Sequence, residues 1–433
     1  MLSPLEVGAD RAPQAARDLA ALLTAAGCDV VPCGALTGAD AAAEAGQRFA
    51  AERVDAVALA AASWFEDYVV LDLLEECPQP LLMWALPGME TGALCGTQQL
   101  TCFLHAMQRP YEGVFGPVSG GEALKRGLGF LRASTLRGRL RRARIGLAGQ
   151  RIGGMTHTSA AEFALKAALG PRVVPVDLPQ LLGRAAAASP EEAQSRWEEL
   201  RGRAGACQVE EGEGQRAMAV YGALREVVAE EGLAAVTVGC YPHLMGRVCL
   251  AASLLADEGV PMACEGDVNG AIGQLLLYLL TGQPTHHTDW LEPLVDGTVV
   301  LTHCGAGSLA LAERAEKIVL GPVRLMGGGV CALFPARPGP VTLVSLIPYR
   351  EGYQCALLEG EAVSTEMVFP GNPVRVRFEQ PTDRLIAWIF EQGIGHHWVV
   401  GYGHVAAEIR QWARLCGAGL RLVEPSGRAE EGV

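Results

Sequence analysis

Two hydrophobic patterns divide the chain near residue 284. Before that point, short apolar runs typical of buried strands alternate with segments whose apolar residues recur every three or four positions, as in amphipathic helices. After it, many short apolar runs are separated by Gly and Pro, which indicates strands joined by turns. The patterns therefore predict α/β units with parallel sheets, followed by a β-rich region.

Residues 1–143 are expected to form the first α/β domain, because strand-like runs and helices alternate along them. The expected strands are LEVGA (5–9), CDVVPC (28–33), VDAVALAA (54–61) and PLLMWAL (80–86), and the expected helices are Gln14 to Ala26, Ala39 to Ala51 and Glu66 to Glu76. The segment Lys125 to Gly146 is rich in Arg and contains no acid. We interpret it as a solvated connecting helix or a subunit contact rather than an anion-binding patch.

Residues 144–283 are expected to form a second α/β domain, and residues 284–433 a β-rich, barrel-like C-terminal domain. We interpret the two α/β domains as Rossmann-like or flavodoxin-like parallel sheets. In the second one, a helix is expected to begin at Pro242 and end near Gly259, between two strands. Parallel sheets bind ligands at the carboxyl ends of their strands, which is where Tyr241 and Glu265 fall.

Candidate metal ligands are concentrated in Pro261 to Gly305. The chain has nine His. Three of them lie in this segment together with two well-placed carboxylates, and the five candidates are Glu265, His286, His287, Asp289 and His303. A mixture of carboxylate and imidazole ligands suits a catalytic divalent cation. Asp267 is better explained as the N-cap of a helix over Val268 to Thr281 than as a ligand.

Two other groups of His lie outside that segment. His157 follows a strand in a loop and is expected to face a cleft. His396 and His397 are adjacent within GIGHHWVVGYGH, a segment expected to be a loop followed by a long helix. Neighbouring side chains diverge, so only one of this pair is expected to reach a metal ion.

Charge and composition exclude several classes of partner. The formal net charge is −13, which argues against nucleic acid or an anionic membrane as a partner and favours a small-molecule substrate. The 13 Cys include no CxxC pair and are expected to be free thiols of a reducing compartment. The amino terminus has no apolar core of a signal peptide, so a cytoplasmic location is expected.

Four segments resemble the metal-site signature of the L-fucose isomerase and L-arabinose isomerase superfamily: CEGDVNGA (264–271), DW (289–290), HCG (303–305) and GIGHHWVVGYGH (393–404). The order of the domains is also similar to that superfamily, although this chain is shorter than a typical L-fucose isomerase. The resemblance implies a metal-dependent aldose–ketose isomerase. Its substrate would be a pentose, a deoxyhexose or a related sugar. It also implies a homo-oligomer, a trimer or a hexamer.

The resemblance implies roles for individual residues. Glu265 and Asp289 match the two metal-binding carboxylates, His397 matches an imidazole ligand, and His303 matches a ligand of the arabinose branch. The implied ion is Mn²⁺, with Mg²⁺, Co²⁺ or Zn²⁺ as alternatives. Isomerisation through a cis-enediol needs a base, an acid and positive charge over two oxygens. We therefore also predict that Glu265 and Asp289 are the catalytic proton-transfer pair, without assigning which one is the base.

Substrate contacts are predicted for five further residues, which are Trp64, Tyr241, His243, His396 and His404. For Trp64 the competing interpretation is a residue that caps the first sheet or fills a subunit contact. For His404 it is a residue near a helix start that is hydrogen-bonded within its own domain.

Two other functions use the same features. A non-catalytic sugar-binding or regulatory protein could keep this fold, since two α/β units around a cleft also describe solute-binding proteins. A lyase or epimerase would need the same metal and enediolate chemistry, so only its products would distinguish it from an isomerase.

Overall fold

The computed structural model describes residue 3 and residues 5–425. The chain divides into two compact units, Met1–Gly138 and Arg139–Val433. The predicted boundary between a second and a third domain near residue 284 stays a prediction. No helix within the described residues is both long and apolar enough to cross a membrane.

The first unit is built on a small parallel sheet. Its three strands lie in the order β1-β2-β3 and are Val57–Ala61 (β1), Leu81–Ala85 (β2) and Tyr111–Phe115 (β3). The helices are Ala12–Ala25 (α1), Ala39–Ala51 (α2), Asp67–Glu76 (α3), Ala93–Ala106 (α4) and Glu122–Arg142 (α5), the last of which contains the boundary between the units. The three predicted helices and the basic helix are therefore confirmed.

Two of the four strands predicted in this unit are wrong. In the run 5–9, Leu5 and Val7 are 96% and 59% exposed, and Gly8 takes a left-handed backbone (φ 84°) before a short 3-10 turn. The run 28–33 forms no strand; its apolar side chains pack on the core without joining the sheet. The strand β3 was not predicted, because Glu112 interrupts its apolar run. Glu112 is nevertheless buried, where it accepts a hydrogen bond from Arg126 at 2.7 Å.

The second unit begins with a four-stranded parallel sheet in the order β5-β4-β7-β8. Its strands are Arg144–Ala148 (β4), Arg172–Val176 (β5), Ala235–Val238 (β7) and Met262–Ala263 (β8). The helices around it are Glu162–Ala168 (α6), Leu178–Ala186 (α7), Pro190–Arg203 (α8), Glu211–Glu231 (α9), Cys249–Asp257 (α10) and Val268–Thr281 (α11). The Rossmann-like or flavodoxin-like classification stays a prediction.

The helix predicted from Pro242 begins seven residues later, at Cys249. The intervening turn contains Gly246, whose backbone is left-handed (φ 73°) and lies against Gly329. A Cβ on Gly246 would lie 2.7 Å from the Gly329 Cα, so this close approach requires glycine and interrupts the helix.

The second unit ends with an antiparallel barrel of six strands in the order β13-β16-β9-β10-β15-β14, closed by pairing of β13 with β14. These strands are Thr285–Pro293 (β9), Thr298–Thr302 (β10), Gly339–Tyr349 (β13), Gly352–Val363 (β14), Val374–Arg377 (β15) and His397–Tyr402 (β16). The strand Leu420–Val423 (β17) adds to β14 in parallel. The prediction of parallel α/β sheets followed by a β-rich, barrel-like region is confirmed.

The remaining elements complete this unit. A separate three-stranded sheet joins Ala206–Cys207 (β6), Val319–Val323 (β11) and Gly328–Leu333 (β12). Two helices, Thr382–Gln392 (α12) and Ala406–Cys416 (α13), flank β16 in the sequence. The expectation that GIGHHWVVGYGH is a loop is wrong for its second half, because β16 lies between β9 and β13 in the barrel wall.

Candidate active site and metal centre

Glu265 lies in the tight connection between β8 and α11. Its backbone is left-handed (φ 66°), and Gly266 follows in the same conformation (φ 70°). A left-handed backbone costs an ordinary residue roughly 1–2 kcal/mol, and such conformations are concentrated at functional sites. The Gly266 position lies against the backbone of Gln150 and Arg151, where a Cβ would lie 2.7 Å from the nearest atoms. The close approach of these two loops therefore fixes where Glu265 points.

The two His residues of β9 lie on opposite faces of the strand. Side chains two residues apart share a face, so His287 and Asp289 face one way and His286 faces the other. His286 donates from Nε2 to the Asn372 carbonyl at 2.9 Å, and burial lowers its pKa to about 4. His286 is therefore a buried structural residue, although it belongs to the same sequence cluster as the other candidates.

Strand pairing brings His397 to Asp289. These residues are direct partners in the antiparallel register of β9 and β16. His397 Nε2 lies 3.6 Å from Asp289 Oδ1 and 3.3 Å from Glu265 Oε2, and His303 Nε2 lies 3.8 Å from Glu265 Oε2. Of the four predicted ligands, Glu265 follows β8. The other three belong to the barrel: Asp289 lies in β9, His303 follows β10, and His397 begins β16.

The spacing of these atoms suits a metal ion. Ligands at about 2.1 Å from one ion lie roughly 3.0–3.5 Å apart, and the separations above are only slightly longer. His397 Nε2 and Asp289 Oδ1 are both buried and have no hydrogen-bond partner among the described residues. A buried imidazole nitrogen and a buried carboxylate oxygen that face each other without a hydrogen bond are expensive unless a further group lies between them. The donor atoms of Glu265, His303 and His397 all lie within 4.8 Å of one another, which fits a divalent cation, and Asp289 adjoins this group through His397.

Asp267 accepts hydrogen bonds from the rings of His397 and His287. His397 donates from Nδ1 to Asp267 Oδ2 at 2.8 Å, and His287 donates from Nε2 to the same oxygen at 3.2 Å. The other oxygen, Oδ1, accepts from the Gly270 amide at 2.9 Å and caps α11, as predicted. A carboxylate on the far nitrogen fixes the tautomer of a metal-binding imidazole. Asp267 is therefore both a helix cap and the residue that aims His397.

Electrostatic interactions within the cluster are strong. Burial would raise the pKa of Glu265, but the nearby imidazoles of His303 and His397 outweigh it and hold that pKa well below its usual range. Burial would lower the pKa of His397, but Asp267 and Glu265 raise it to about 9. For His303, burial is opposed first by Cys304, whose Sγ lies 3.1 Å from Nδ1, and the pKa is raised. Glu265 is thus ionised, as a metal ligand or base must be.

Two more His lie beside this cluster. His396 Nε2 lies 3.9 Å from Asp289 Oδ1, and its ring is 4.9 Å from that of His157 between centroids. Burial, followed by the charge of His397, lowers the pKa of both rings. His396 and His157 are therefore neutral near pH 7, and each can both donate and accept a hydrogen bond.

The structure does not bring Tyr241, His243 or His404 to the cluster. Tyr241 and His243 are exposed on the turn before α10. His404 lies 3.2 Å from Glu361 and 3.5 Å from Glu359 on β14, which matches its competing interpretation. Trp64 belongs to the first unit, where its indole N–H donates to Gln99 at 3.2 Å.

A small cavity opens beside the cluster, with a volume of about 90 Å³. Glu265, Asp289, His303 and Cys304 line it, and so do residues that the sequence did not single out, which are Cys240, Met245, Leu291, Thr302, Arg324, Leu325 and Phe369. Arg324 and Phe369 lie in turns without any recognisable motif, so no sequence signal could have placed them here.

Comparisons with known proteins identify the reaction class. No protein-family model matches the chain. The chain is 26% identical over 350 residues to the sulfoquinovose isomerase of Alkalicoccus urumqiensis, which covers 78% of this chain and 79% of the relative. It is 22% identical over 377 residues to the sulfoquinovose isomerase of Priestia megaterium, which covers 84% of each. Relatives named isomerase that match over most of both chains confirm the predicted enzyme class: the chain is an isomerase.

Proposed function

We propose that this isomerase is a metal-dependent aldose–ketose isomerase of the L-fucose and L-arabinose isomerase superfamily. The observation that carries the proposal is the pair of buried, unpartnered atoms, His397 Nε2 and Asp289 Oδ1, beside the ionised carboxylate of Glu265. A non-catalytic binding protein has no need of such a set. The names of the relatives support the isomerase over that alternative.

Glu265, Asp289, His397 and His303 would hold the ion. When bound, a divalent ion such as Mn²⁺, Mg²⁺, Co²⁺ or Zn²⁺ supplies positive charge over the two sugar oxygens that share the enediolate. Asp267 keeps the proton on His397 Nδ1 and so leaves Nε2 as the electron-pair donor.

The chain's own carboxylates move the proton. One of Glu265 and Asp289 removes the proton from C2 of the open-chain aldose, and a carboxylic acid returns a proton to C1 on the same face. The low pKa of Glu265 keeps its carboxylate ionised. The neutral rings of His396 and His157 lie beside Asp289 and His397, where they orient sugar hydroxyls. Positioned acid–base groups each contribute roughly 10²- to 10⁴-fold to such a reaction.

The substrate we propose is an aldose with an anionic substituent, and sulfoquinovose is the leading candidate, since the relatives are named for it. Sulfoquinovose is a glucose whose C6 carries a sulfonate in place of the hydroxyl. Its isomerisation changes only C1 and C2, so the reaction fits the cluster described above. We further propose that the enzyme acts in the cytoplasm as a homo-oligomer, a trimer or a hexamer, in which Trp64 contacts a sugar. Light scattering measures the number of chains in the assembly.

The decisive experiment follows the substrate proton. The protein is purified without chelator, its metal content is measured, and sulfoquinovose is incubated with it in D₂O. A ketose with deuterium at C1, together with about one ion per chain, supports the proposal. Glu265→Gln should bind less metal and lower the rate by at least about 100-fold. Carbon–carbon cleavage products would indicate a lyase, a new aldose an epimerase, and binding without turnover a sugar-binding protein; each of these would refute it.

A further inference from the structure

We propose that Arg324 is the residue that binds the anionic substituent of the substrate. The inference rests on the proposed function, because it assigns an anion-binding position within the same site. It concerns which sugar is accepted rather than how its proton moves.

Arg324 occupies a defined position at the cavity. It is the first residue of the turn between β11 and β12, in which the amides of Met326 and Gly327 donate to the Val323 carbonyl at 3.1 and 2.9 Å. Its guanidinium carbon lies 4.9 Å from the centre of the Phe369 ring, and Phe369 lines the same cavity. Stacking on an aromatic face restrains a guanidinium without using any of its N–H donors.

The donors of Arg324 are available to a ligand. Within residues 5–425, no carboxylate pairs with Arg324, although the chain carries an excess of 13 negative charges. Most other Arg side chains with defined contacts lie within 4 Å of Asp or Glu, as Arg375 does with Asp296. An unpaired Arg beside two carboxylates is therefore unusual in this chain.

The charge of the cavity changes once the proposed ion is bound. Glu265 and Asp289 carry two negative charges, and a divalent ion neutralises both. Arg324 is the one Arg or Lys among the described residues that line the cavity, so it leaves the lining net positive. An uncharged sugar gains nothing from this excess, whereas a sugar with a fixed negative charge does.

A sulfonate suits this residue in particular. It is ionised at any physiological pH and presents three oxygens, and a guanidinium donates to two such oxygens in parallel. A Lys in the same position would offer a point charge on a flexible stem, without the fork and without stacking of a planar group on Phe369. We therefore expect Arg324→Lys to keep only part of the preference for the sulfonated sugar.

The test compares two sugars and three variants. Kinetics are measured on the metal-loaded enzyme with sulfoquinovose and with 6-deoxyglucose, which lacks the sulfonate. The variants are Arg324→Met, Arg324→Lys and the control Arg350→Met. Arg350 is also exposed and stacked on a ring, at 5.3 Å from the centre of Tyr349, but it does not line the cavity. Arg324→Met should lower kcat/KM for sulfoquinovose about 10- to 100-fold, the range for a charge-assisted hydrogen bond, and leave 6-deoxyglucose within about twofold.

A binding arm keeps the test independent of turnover. Calorimetry measures the affinity of wild type and Arg324→Met for two open-chain alcohols, the 6-sulfo and the 6-deoxy alditols, which cannot isomerise. Wild type should bind the sulfo compound more tightly, and the difference should vanish in Arg324→Met but persist in Arg350→Met. Equal losses for both sugars, or an unchanged difference between the alditols, would overturn the assignment. If wild type binds with this preference but makes no ketose, the proposed function is wrong, whereas the assignment of Arg324 as the anion-binding residue is retained.

Discussion

Replacing Asp267 with Asn should weaken metal binding while leaving the fold intact. Asn caps helices about as well as Asp, so the hydrogen bond from the Gly270 amide can persist. The substitution removes the negative charge beside His397 Nδ1, and it replaces the oxygen that accepts from His397 and His287 with an amide nitrogen. Loss of a carboxylate behind a metal-binding imidazole typically costs 10- to 100-fold in metal affinity, which is about 1.4–2.8 kcal/mol.

The magnitude depends on pH, because Asp267 has two opposing effects. It raises the pKa of His397 to about 9 together with Glu265, so at pH 7 a proton competes with the ion in wild type. Asp267→Asn lowers that pKa and relieves this competition while it disorients the ring. Above pH 9 His397 is neutral in both proteins and only the orientation effect remains. The full 10- to 100-fold deficit is therefore expected near pH 9.5, and a smaller one at pH 7.

The assay is a competitive chelator titration with Mn²⁺ under oxygen-free buffer, paired with urea unfolding of the metal-free protein. Asp177→Asn is the matched control. Asp177 caps α7 through the Gln180 amide at 2.7 Å, but it is exposed and contacts no imidazole. Asp177→Asn should change neither property appreciably. Equal metal affinity of wild type and Asp267→Asn at pH 9.5 would refute the reasoning, as would an equal loss in the control.

Three further predictions concern the same unit and the first unit. Metal binding at pH 7 should release at least one proton, because the pKa of His397 is raised to about 9 and the ion displaces its proton. The affinity should rise about tenfold per pH unit up to about pH 9 for that proton, and more steeply where His303, whose pKa is also raised, loses a proton as well. Calorimetry in buffers of different ionisation enthalpy measures the number of protons released. Gly270→Ala should destabilise the protein by about 1–3 kcal/mol, since a Cβ would lie 2.5 Å from His287 Nε2, whereas Gly183→Ala, with open space around it, should stabilise α7 by about 1 kcal/mol in urea unfolding. Trp64→Ala should lower kcat/KM several-fold if this residue contacts the sugar, and unchanged kinetics would remove it from the site.

Much of the fold could be predicted from local sequence patterns, and the wrong predictions arise from contacts between residues far apart in the sequence. The strand β16 was expected to be a loop because glycines surround it. Gly401 is there because α11 packs directly on the barrel wall, where a Cβ would lie 2.9 Å from the Leu277 Cβ. The packing partner is more than 100 residues away, so a window of sequence cannot reveal why the glycine is needed.

In the candidate site, too, local sequence features could be predicted, whereas contacts between distant residues could not. Glu265 stands out in the sequence because it follows a strand, and Asp289 because it lies within a cluster of His. The cap role of Asp267 was also predictable, since it depends on neighbours three residues away. Its second oxygen binds His397, which is 130 residues distant. Only the pairing of β9 with β16 and the packing of α11 bring that ring to it.

The register between β9 and β16 gives metal binding a consequence for folding. His397 lies directly opposite Asp289 only in this register, and a slip of one residue would turn one of the two side chains to the other face of the wall. A misaligned barrel would then keep most of its backbone hydrogen bonds but lose the ion. The ion's binding energy therefore acts selectively on the correctly aligned barrel, so metal present during refolding should favour that alignment over its closest competitors.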